Sequence, residues 1–150
     1  TNIGGALRNA AHNGALQVVD YLLTFDDLNE TILNEVMLIA TTKNHFEIVK
    51  RLLNNPKVTD FYQPLLKATR NGNTLVVNYI IKNKGPLKQN SRLLQSHLDE
   101  ALIVACQNGL ADTVITLLDN GARYLNKALD FASETEQKNI LDTLQFSLGW

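Results

Sequence analysis

Apolar and small residues recur along this chain in one order, at intervals of 27 to 37 residues. A leucine or methionine is followed three residues later by an alanine, then by a polar turn, and then by pairs of aliphatic residues. Five copies follow this order, and the shared alanine is Ala10, Ala40, Ala68, Ala105 and Ala132. A repeat of this length with two apolar helical stretches per copy predicts a solenoid.

Each copy predicts a helix, a turn and a second helix. In the first copy Leu7 and Ala10 fall on one face of a helix, and Gly14 ends it because glycine accepts a left-handed backbone. The residues from 16 to 23 form the apolar stripe of the second helix. Asn44 replaces the glycine in the second copy, and asparagine is the next-best residue there. Since one hairpin cannot bury both of its faces, we expect stacked neighbours to cover it.

The copies divide the chain into five expected repeats, and the last two depart from the pattern. Residues 82–100, which contain Gly85-Pro86, predict a turn and an extra short helical piece before the fourth repeat. The fifth repeat has Glu136 in the place of the turn glycine, and this polarity is typical of a capping repeat. Because the chain starts at Thr1, we expect a fragment of a larger protein. The approximate repeats are 1–28, 29–57, 58–86, 87–123 and 124–150.

Residues 10–19, which read A-A-H-N-G-A-L-Q-V-V, resemble the ankyrin repeat, whose signature is T-P-L-H-x-A-A-x-x-G-H-x-x-V-V-x-x-L-L-x-x-G-A. Residues 40–53, with His45 at the G-H position, and residues 117–122 are similar to it as well, although no copy has T-P-L-H. The resemblance implies an all-α, ankyrin-type helix–turn–helix solenoid of about five repeats. The short intervals imply short or missing β-hairpin fingers. HEAT and TPR arrays fit worse, because the Asn-Gly position and the spacing favour ankyrin.

The resemblance implies a non-catalytic protein–protein interaction module that binds through its concave, loop-tip face. Aromatic and arginine residues are the usual anchors of interfaces, so Phe61, Tyr62 and Arg70 form the preferred cluster. The alternative for Phe61 is a core position beneath the third repeat. Asp99, Glu100, Arg123 and Asn126 are further loop-tip candidates. The partner-binding candidates are Lys43, Asp60, Phe61, Tyr62, Arg70, Asn71, Gln107 and Tyr124.

Two other family features concern single residues. His45 stands where the family often has a histidine that bonds between neighbouring loops. Asn126 resembles the asparagine that hydroxylases modify in the family, but Tyr124 stands where the family has an acidic residue two positions earlier.

The formal net charge is −1, but the charges are distributed unevenly. Residues 43–92, the basic central band, carry ten basic and two acidic residues. Residues 1–42 carry one basic and five acidic residues, and residues 93–150 carry three and eight. An acidic protein segment is the partner that this pattern favours, because such a band raises its association rate.

Three alternatives stay open. The band can instead bind phosphate-bearing ligands, meaning anionic lipid head groups or nucleic acid, although no nucleic-acid motif is present. Its bases can also lie on several faces, solvated, without forming a patch. Finally, the array can act as an intramolecular scaffold for a catalytic domain outside this fragment, which an apolar flank at Phe146, Leu148 and Trp150 would favour.

Candidate catalytic residues are few. Cys106 occupies the small position that Ala11 fills in the first copy, so we expect it to pack in the core. His12, His45 and His97 belong to no metal-binding motif. We therefore expect no enzyme activity, no cofactor and no metal site. We also expect no transmembrane segment, a monomer, and an intracellular, cytoplasmic location, the alternative being a secreted bacterial or viral effector that acts inside a host cell.

Overall fold

The computed structural model describes residues 2–88 and 91–149, and these fold into helices and connecting turns. The described residues contain ten α-helices and no β-strand, so the hairpin fingers, expected to be short or missing, are missing there. The helices are α1 (Ile3–Asn13), α2 (Leu16–Leu22), α3 (Glu30–Thr42), α4 (Phe46–Leu53), α5 (Tyr62–Arg70), α6 (Thr74–Lys84), α7 (Gln95–Gln107), α8 (Ala111–Asp119), α9 (Leu125–Leu129) and α10 (Glu134–Leu148).

The turn inside each of the first four repeats is built in the same way. One residue takes the left-handed backbone, with φ of 75° at Gly14, 58° at Asn44, 71° at Gly72 and 66° at Gly109. The residue directly after this left-handed residue then donates its backbone N–H to the carbonyl oxygen of the repeat alanine, as in Ala15 N to Ala10 O at 2.9 Å. This bond satisfies a carbonyl that the helix end would leave without a partner. The prediction for the glycines and for Asn44 is confirmed.

The chain divides into two compact bodies, and the division falls between Lys67 and Ala68, within α5. In the N-terminal body, up to Lys67, α1 packs against α2 and α3, and α4 packs against α2 and α3. In the C-terminal body, from Ala68 onwards, α8 packs against α6, α7 and α10, and α7 also packs against α9 and α10. Each body is thus built from neighbouring helical hairpins.

The core follows the repeat register. The alanines Ala40, Ala68 and Ala105 are fully buried, as close contact between two helices requires. Other equivalent positions of the first four repeats are also fully buried: Leu7, Met37, Leu65 and Leu102 in the first helices, and Val19, Val49, Val77 and Val114 in the second. The hairpins therefore bury these two positions in each of the four repeats.

The prediction of an extra short helix within residues 82–100 is wrong for the residues that the structure describes. No helix lies between α6 and α7, and α7 instead begins at Gln95 and continues for 13 residues. Leu98 starts an apolar stripe that continues through Leu102 and Ala105 at helical spacing, so it belongs to α7 itself. Leu93 is buried in the preceding turn.

The register expected for the fifth repeat is wrong by one helical turn. Ala132 lies beyond the end of α9 and is half-buried, whereas Ala128 is buried. The sequence offers a leucine followed by an alanine three residues later at Leu125-Ala128 and again at Leu129-Ala132, and only the first pair lies in the helix.

Glu136 does not occupy a turn, as the sequence suggested, but lies in the first turn of α10. Its backbone N–H donates to Ser133 Oγ at 3.2 Å, and Ser133 N donates back to Glu136 Oε2 at 3.3 Å. This capping box stabilises the start of the helix.

Candidate functional site

The eight partner-binding candidates divide equally between the two bodies. Lys43, Asp60, Phe61 and Tyr62 lie in the N-terminal body, and Arg70, Asn71, Gln107 and Tyr124 lie in the C-terminal body. Lys43, Arg70, Asn71, Gln107 and Tyr124 are exposed, whereas Asp60 and Tyr62 are half-buried.

Phe61 is not a surface anchor. Its side chain is 1% exposed and belongs to the core. The repeat register explains this, since Leu33 and Leu98 occupy the equivalent position in the second and fourth repeats and are buried as well. The core alternative for Phe61 is therefore the correct one.

Asp60 also has a structural task. Its Oδ1 accepts hydrogen bonds from Tyr62 N at 3.1 Å and from Gln63 N at 3.2 Å, which caps the start of α5. Its backbone N–H donates to Asn34 Oδ1, 3.1 Å away, which holds the loop against α3. The carboxylate is thus used within the chain.

Asn34 in α3 and Asp99 in α7 are equivalent repeat positions with the same task. Asn34 Oδ1 accepts a hydrogen bond from Thr59 N at 2.9 Å, and Asp99 Oδ1 accepts one from Arg123 N at 2.7 Å. Each side chain thereby fastens the loop that enters the next repeat. Asp99 and Glu100 lie within α7 rather than at a loop tip, contrary to the expectation from the sequence.

The hydrogen bonding at Asp99 is stronger than that at Asn34, because the charged side chain of Arg123 also takes part. Its Nη2 and Nε lie 3.0 and 3.3 Å from Asp99 Oδ2, and Gln95 Nε2 donates to Asp99 Oδ1 at 3.1 Å. Gln95 Nε2 also lies 2.7 Å from the carbonyl oxygen of Gly121, to which it donates. The hydrophobic pattern of the sequence does not reveal this pairing, because Asp99 and Arg123 are 24 residues apart and only the repeat register connects them.

These hydrogen bonds set the protonation of the pair. Partial burial raises the pKa of Asp99, but the hydrogen bonds from the Arg123 side chain, the Arg123 backbone and Gln95 outweigh it and hold that pKa below its ordinary value. The hydrogen bond to Asp99 likewise raises the pKa of Arg123. At neutral pH the pair is therefore fully ionised, and the loop is held by charge-assisted bonds.

Tyr124 follows directly and takes an uncommon backbone conformation. Its φ of 65° and ψ of 46° lie in the left-handed region, which costs a residue other than glycine about 1–2 kcal/mol. The ring stays 62% exposed, and the guanidinium carbon of Arg123 lies 4.9 Å from its centroid. An exposed aromatic ring is thus held in one place by a strained backbone and by an anchored arginine.

A shallow groove of about 230 Å³ lies beside Tyr124, between α7 and α9. Ile103 contributes apolar surface to it, Ala128 lines it but is only 1% exposed, and Glu100 and Lys127 contribute one charge of each sign. We name this surface, with Arg123 and Tyr124, the Tyr124 groove. Gln107 ends α7 eight residues after Asp99, about 12 Å further along the axis, and belongs to a different patch.

Three residues of the basic central band already form contacts within the N-terminal body. Arg51 Nε pairs with Asp20 Oδ1 at 3.1 Å, and Lys50 Nζ with Glu47 Oε1 at 3.3 Å. Lys57 Nζ donates to a backbone carbonyl, that of Leu28, at 2.9 Å. These three bases are therefore engaged in contacts within the chain.

Cys106 and His45 have the structural roles expected from the sequence. Cys106 is fully buried, and burial raises the pKa of its thiol to about 11, which suppresses the reactive thiolate. His45 Nε2 donates to the carbonyl oxygen of His12 at 3.1 Å and so joins two neighbouring turns.

In residues 2–88 and 91–149, no cluster of three or more metal-ligating side chains is present, and no helix is long and apolar enough to cross a membrane. Asn126 is exposed on α9. Of the apolar flank, Phe146 is almost fully exposed, whereas Trp150 and the side chain of Leu148 lie outside the described residues.

Comparison with known proteins agrees with the repeat register. Two overlapping stretches, residues 7–92 and 36–128, match the family described as Ankyrin repeats (3 copies). No curated protein matches the sequence. Since the matched residues extend over more than half of the chain, this protein belongs to the ankyrin repeat family.

Proposed function

We propose that this chain binds a protein partner through the Tyr124 groove. Ankyrin repeats are generally protein–protein interaction modules. The observation that favours this particular surface is Tyr124 itself, an exposed aromatic side chain held by a left-handed backbone and by Arg123. Backbone strain that the surrounding structure maintains is a feature of binding and active sites.

Preorganisation supports the same choice. Tyrosine and arginine are the residues that most often dominate the binding energy of interfaces. Binding normally costs the entropy of ordering such side chains, and here the bonds from Arg123 to Asp99 have already ordered one of them.

The lining of the Tyr124 groove indicates the chemistry of its partner. Ile103 offers apolar surface, while Glu100 and Lys127 balance each other in charge. The fitting ligand is a peptide segment with one apolar side chain and polar neighbours of either sign. We also propose that the chain acts inside a cell, because ankyrin repeats are common in intracellular proteins.

A protein partner of acidic character remains a second candidate, favoured by the uneven charge of the sequence. Lys43 and Arg70, the bases first expected to bind it, are both exposed. They lie in different bodies, so each is a separate candidate contact.

The test is to capture a partner from cell extract with the immobilised chain and to compare the wild type with Tyr124→Gly. Glycine suits the left-handed backbone, so the free energy of unfolding should stay unchanged or rise while the ring is lost. We expect a specific partner to bind the wild-type chain and to bind the variant about thirtyfold more weakly, as the loss of a hot-spot residue predicts.

The matched control is Tyr21→Ala, because Tyr21 is a similarly exposed tyrosine in the N-terminal body. It should leave capture unchanged. Equal capture by the wild type and Tyr124→Gly, or an equal loss with Tyr21→Ala, would overturn the proposal for the Tyr124 groove.

A further inference from the structure

The turn that follows α6 is fixed at both ends. Gly85 N donates to Ile81 O at 2.8 Å, and Pro86 prevents the helix from continuing. The carbonyl oxygen of Lys84 accepts hydrogen bonds from both Arg92 N and Leu93 N, each at 3.1 Å. Backbone bonds therefore hold the two ends of this turn together.

This turn exposes an apolar side chain. Leu87 is 95% exposed, although an apolar residue in a folded chain usually gains free energy from burial. One exposed leucine is ordinary on its own. Here it borders a groove of about 380 Å³ between the turn and the end of α8, which Ile81 and Pro86 also line. We name this groove the Leu87 groove.

The rim of the Leu87 groove is basic. Lys82 and Lys88 line it and are exposed, and neither forms an ion pair in the part of the chain that the structure describes. No acidic residue occurs in the sequence from Phe61 to Leu98, so the only carboxylate among the lining residues is Asp119. In the N-terminal body, by contrast, two bases of the same band, Lys50 and Arg51, are paired with acids.

We propose that the Leu87 groove docks an acidic peptide segment that carries an apolar side chain. The apolar side chain lies against Ile81, Pro86 and Leu87, and carboxylates on either side of it pair with Lys82 and Lys88. This inference goes beyond the Tyr124 groove, since it concerns another surface and a partner of defined charge.

The shape and chemistry of the groove favour a peptide over the other anionic partners. A flat anionic membrane would meet the exposed Leu87 and the two lysines, but Ile81 is only 5% exposed and is reached by a side chain that enters the groove. Single-stranded nucleic acid binds proteins largely by stacking its bases on aromatic rings, and no aromatic side chain lines this groove.

The probe is a labelled twelve-residue peptide of glutamate and leucine in the order Glu-Glu-Leu, repeated four times. It is titrated against the ¹⁵N-labelled chain while the amide resonances are followed. We expect shifts concentrated at residues 81–88 and 119–121. Two control peptides, one with serine for every leucine and one with glutamine for every glutamate, should bind more weakly. Shifts confined to other residues, or equal binding by either control peptide, would overturn the proposal.

Charge variants give opposite expectations. Lys82→Glu with Lys88→Glu should weaken peptide binding about tenfold, whereas Asp119→Asn should strengthen it. The matched control, Lys67→Glu with Lys138→Glu, changes the net charge by the same amount at two bases that do not line the groove, and it should retain binding. An equal loss in both double variants would mean that overall charge, not the groove, attracts the peptide, and the proposal would fail.

Two more measurements separate the possible outcomes. Tyr124→Gly should bind the peptide normally, so failure at the Tyr124 groove and failure at the Leu87 groove are distinguishable. Vesicles rich in phosphatidylserine provide the membrane comparison. Binding to these vesicles that depends on Lys82 and Lys88, without peptide binding, would overturn the peptide assignment.

Discussion

At the scale of single residues, the turn glycines do more than permit a backbone conformation. Gly14 has a φ of 75°, and a Cβ added to it would lie 2.7 Å from His45 Cε1. Gly72 has nearly the same φ, but a Cβ there would meet its nearest neighbour, Leu110, at an ordinary 3.6 Å. The two positions therefore share the conformational requirement and differ in the space available.

Replacing each of these glycines by alanine measures the two effects separately. We expect Gly72→Ala to cost about 1–2 kcal/mol for the left-handed backbone. Gly14→Ala should cost about 1 kcal/mol more, because it also displaces the ring that donates to His12 O. Urea unfolding of both variants measures the difference, and equal costs would show that His45 yields without loss.

The buried thiol allows a second prediction at this scale. Because the pKa of Cys106 is raised to about 11, almost no thiolate is present near neutral pH, and the side chain is also inaccessible. A thiol reagent added at about pH 8 should therefore label the native chain very slowly and the chain in guanidinium chloride rapidly. Rapid labelling of the native chain would contradict the packing described for α7.

At the scale of helices and hairpins, the first repeat differs from the next three. Ile48, Val76 and Thr113 occupy one position of the second helix and are buried, whereas Val18 at the same position is 48% exposed. In the N-terminal body α4 gains its cover from α2, and in the C-terminal body α8 gains its cover from α6. The outer face of α2 lacks an equivalent cover among the described residues.

A matched pair of valines tests this difference. Val76→Ala should lower the free energy of unfolding by about 2 kcal/mol, since it removes two buried methyl groups and leaves a cavity. Val18→Ala should change it by less than about 0.5 kcal/mol, because a surface substitution removes little packing. Chemical denaturation gives both values. A similar cost for the two variants would mean that Val18 is covered in solution.

Sequence periodicity predicts most of these elements, and its two errors have physical causes. The first four hairpins follow from the alanine, the turn residue and the aliphatic pairs. The fifth fails because the same leucine–alanine spacing occurs twice, at Leu125-Ala128 and Leu129-Ala132, and only packing distinguishes the two. The prediction for residues 82–100 fails because Leu98 fits a separate helix and an extension of α7 equally well.

At the scale of the whole molecule, the sequence predicts the family and the general role better than the site. Tyr124 was a candidate from its position alone, but its left-handed backbone and the tie from Arg123 to Asp99 depend on contacts between distant residues. Phe61 shows the opposite case, since an aromatic residue at a predicted loop tip proves to be core. The basic central band is also a property of the sequence, and three of its bases bind groups within the N-terminal body.

The most direct test of partner binding at the Tyr124 groove is site-specific photo-crosslinking at Tyr124. A photoreactive phenylalanine analogue replaces Tyr124 in one sample and Tyr21 in another, and both are irradiated in cell extract. Binding at this groove predicts a discrete crosslinked protein from position 124 that is absent at position 21. The same products from both positions, or a discrete product only at position 21, would contradict it.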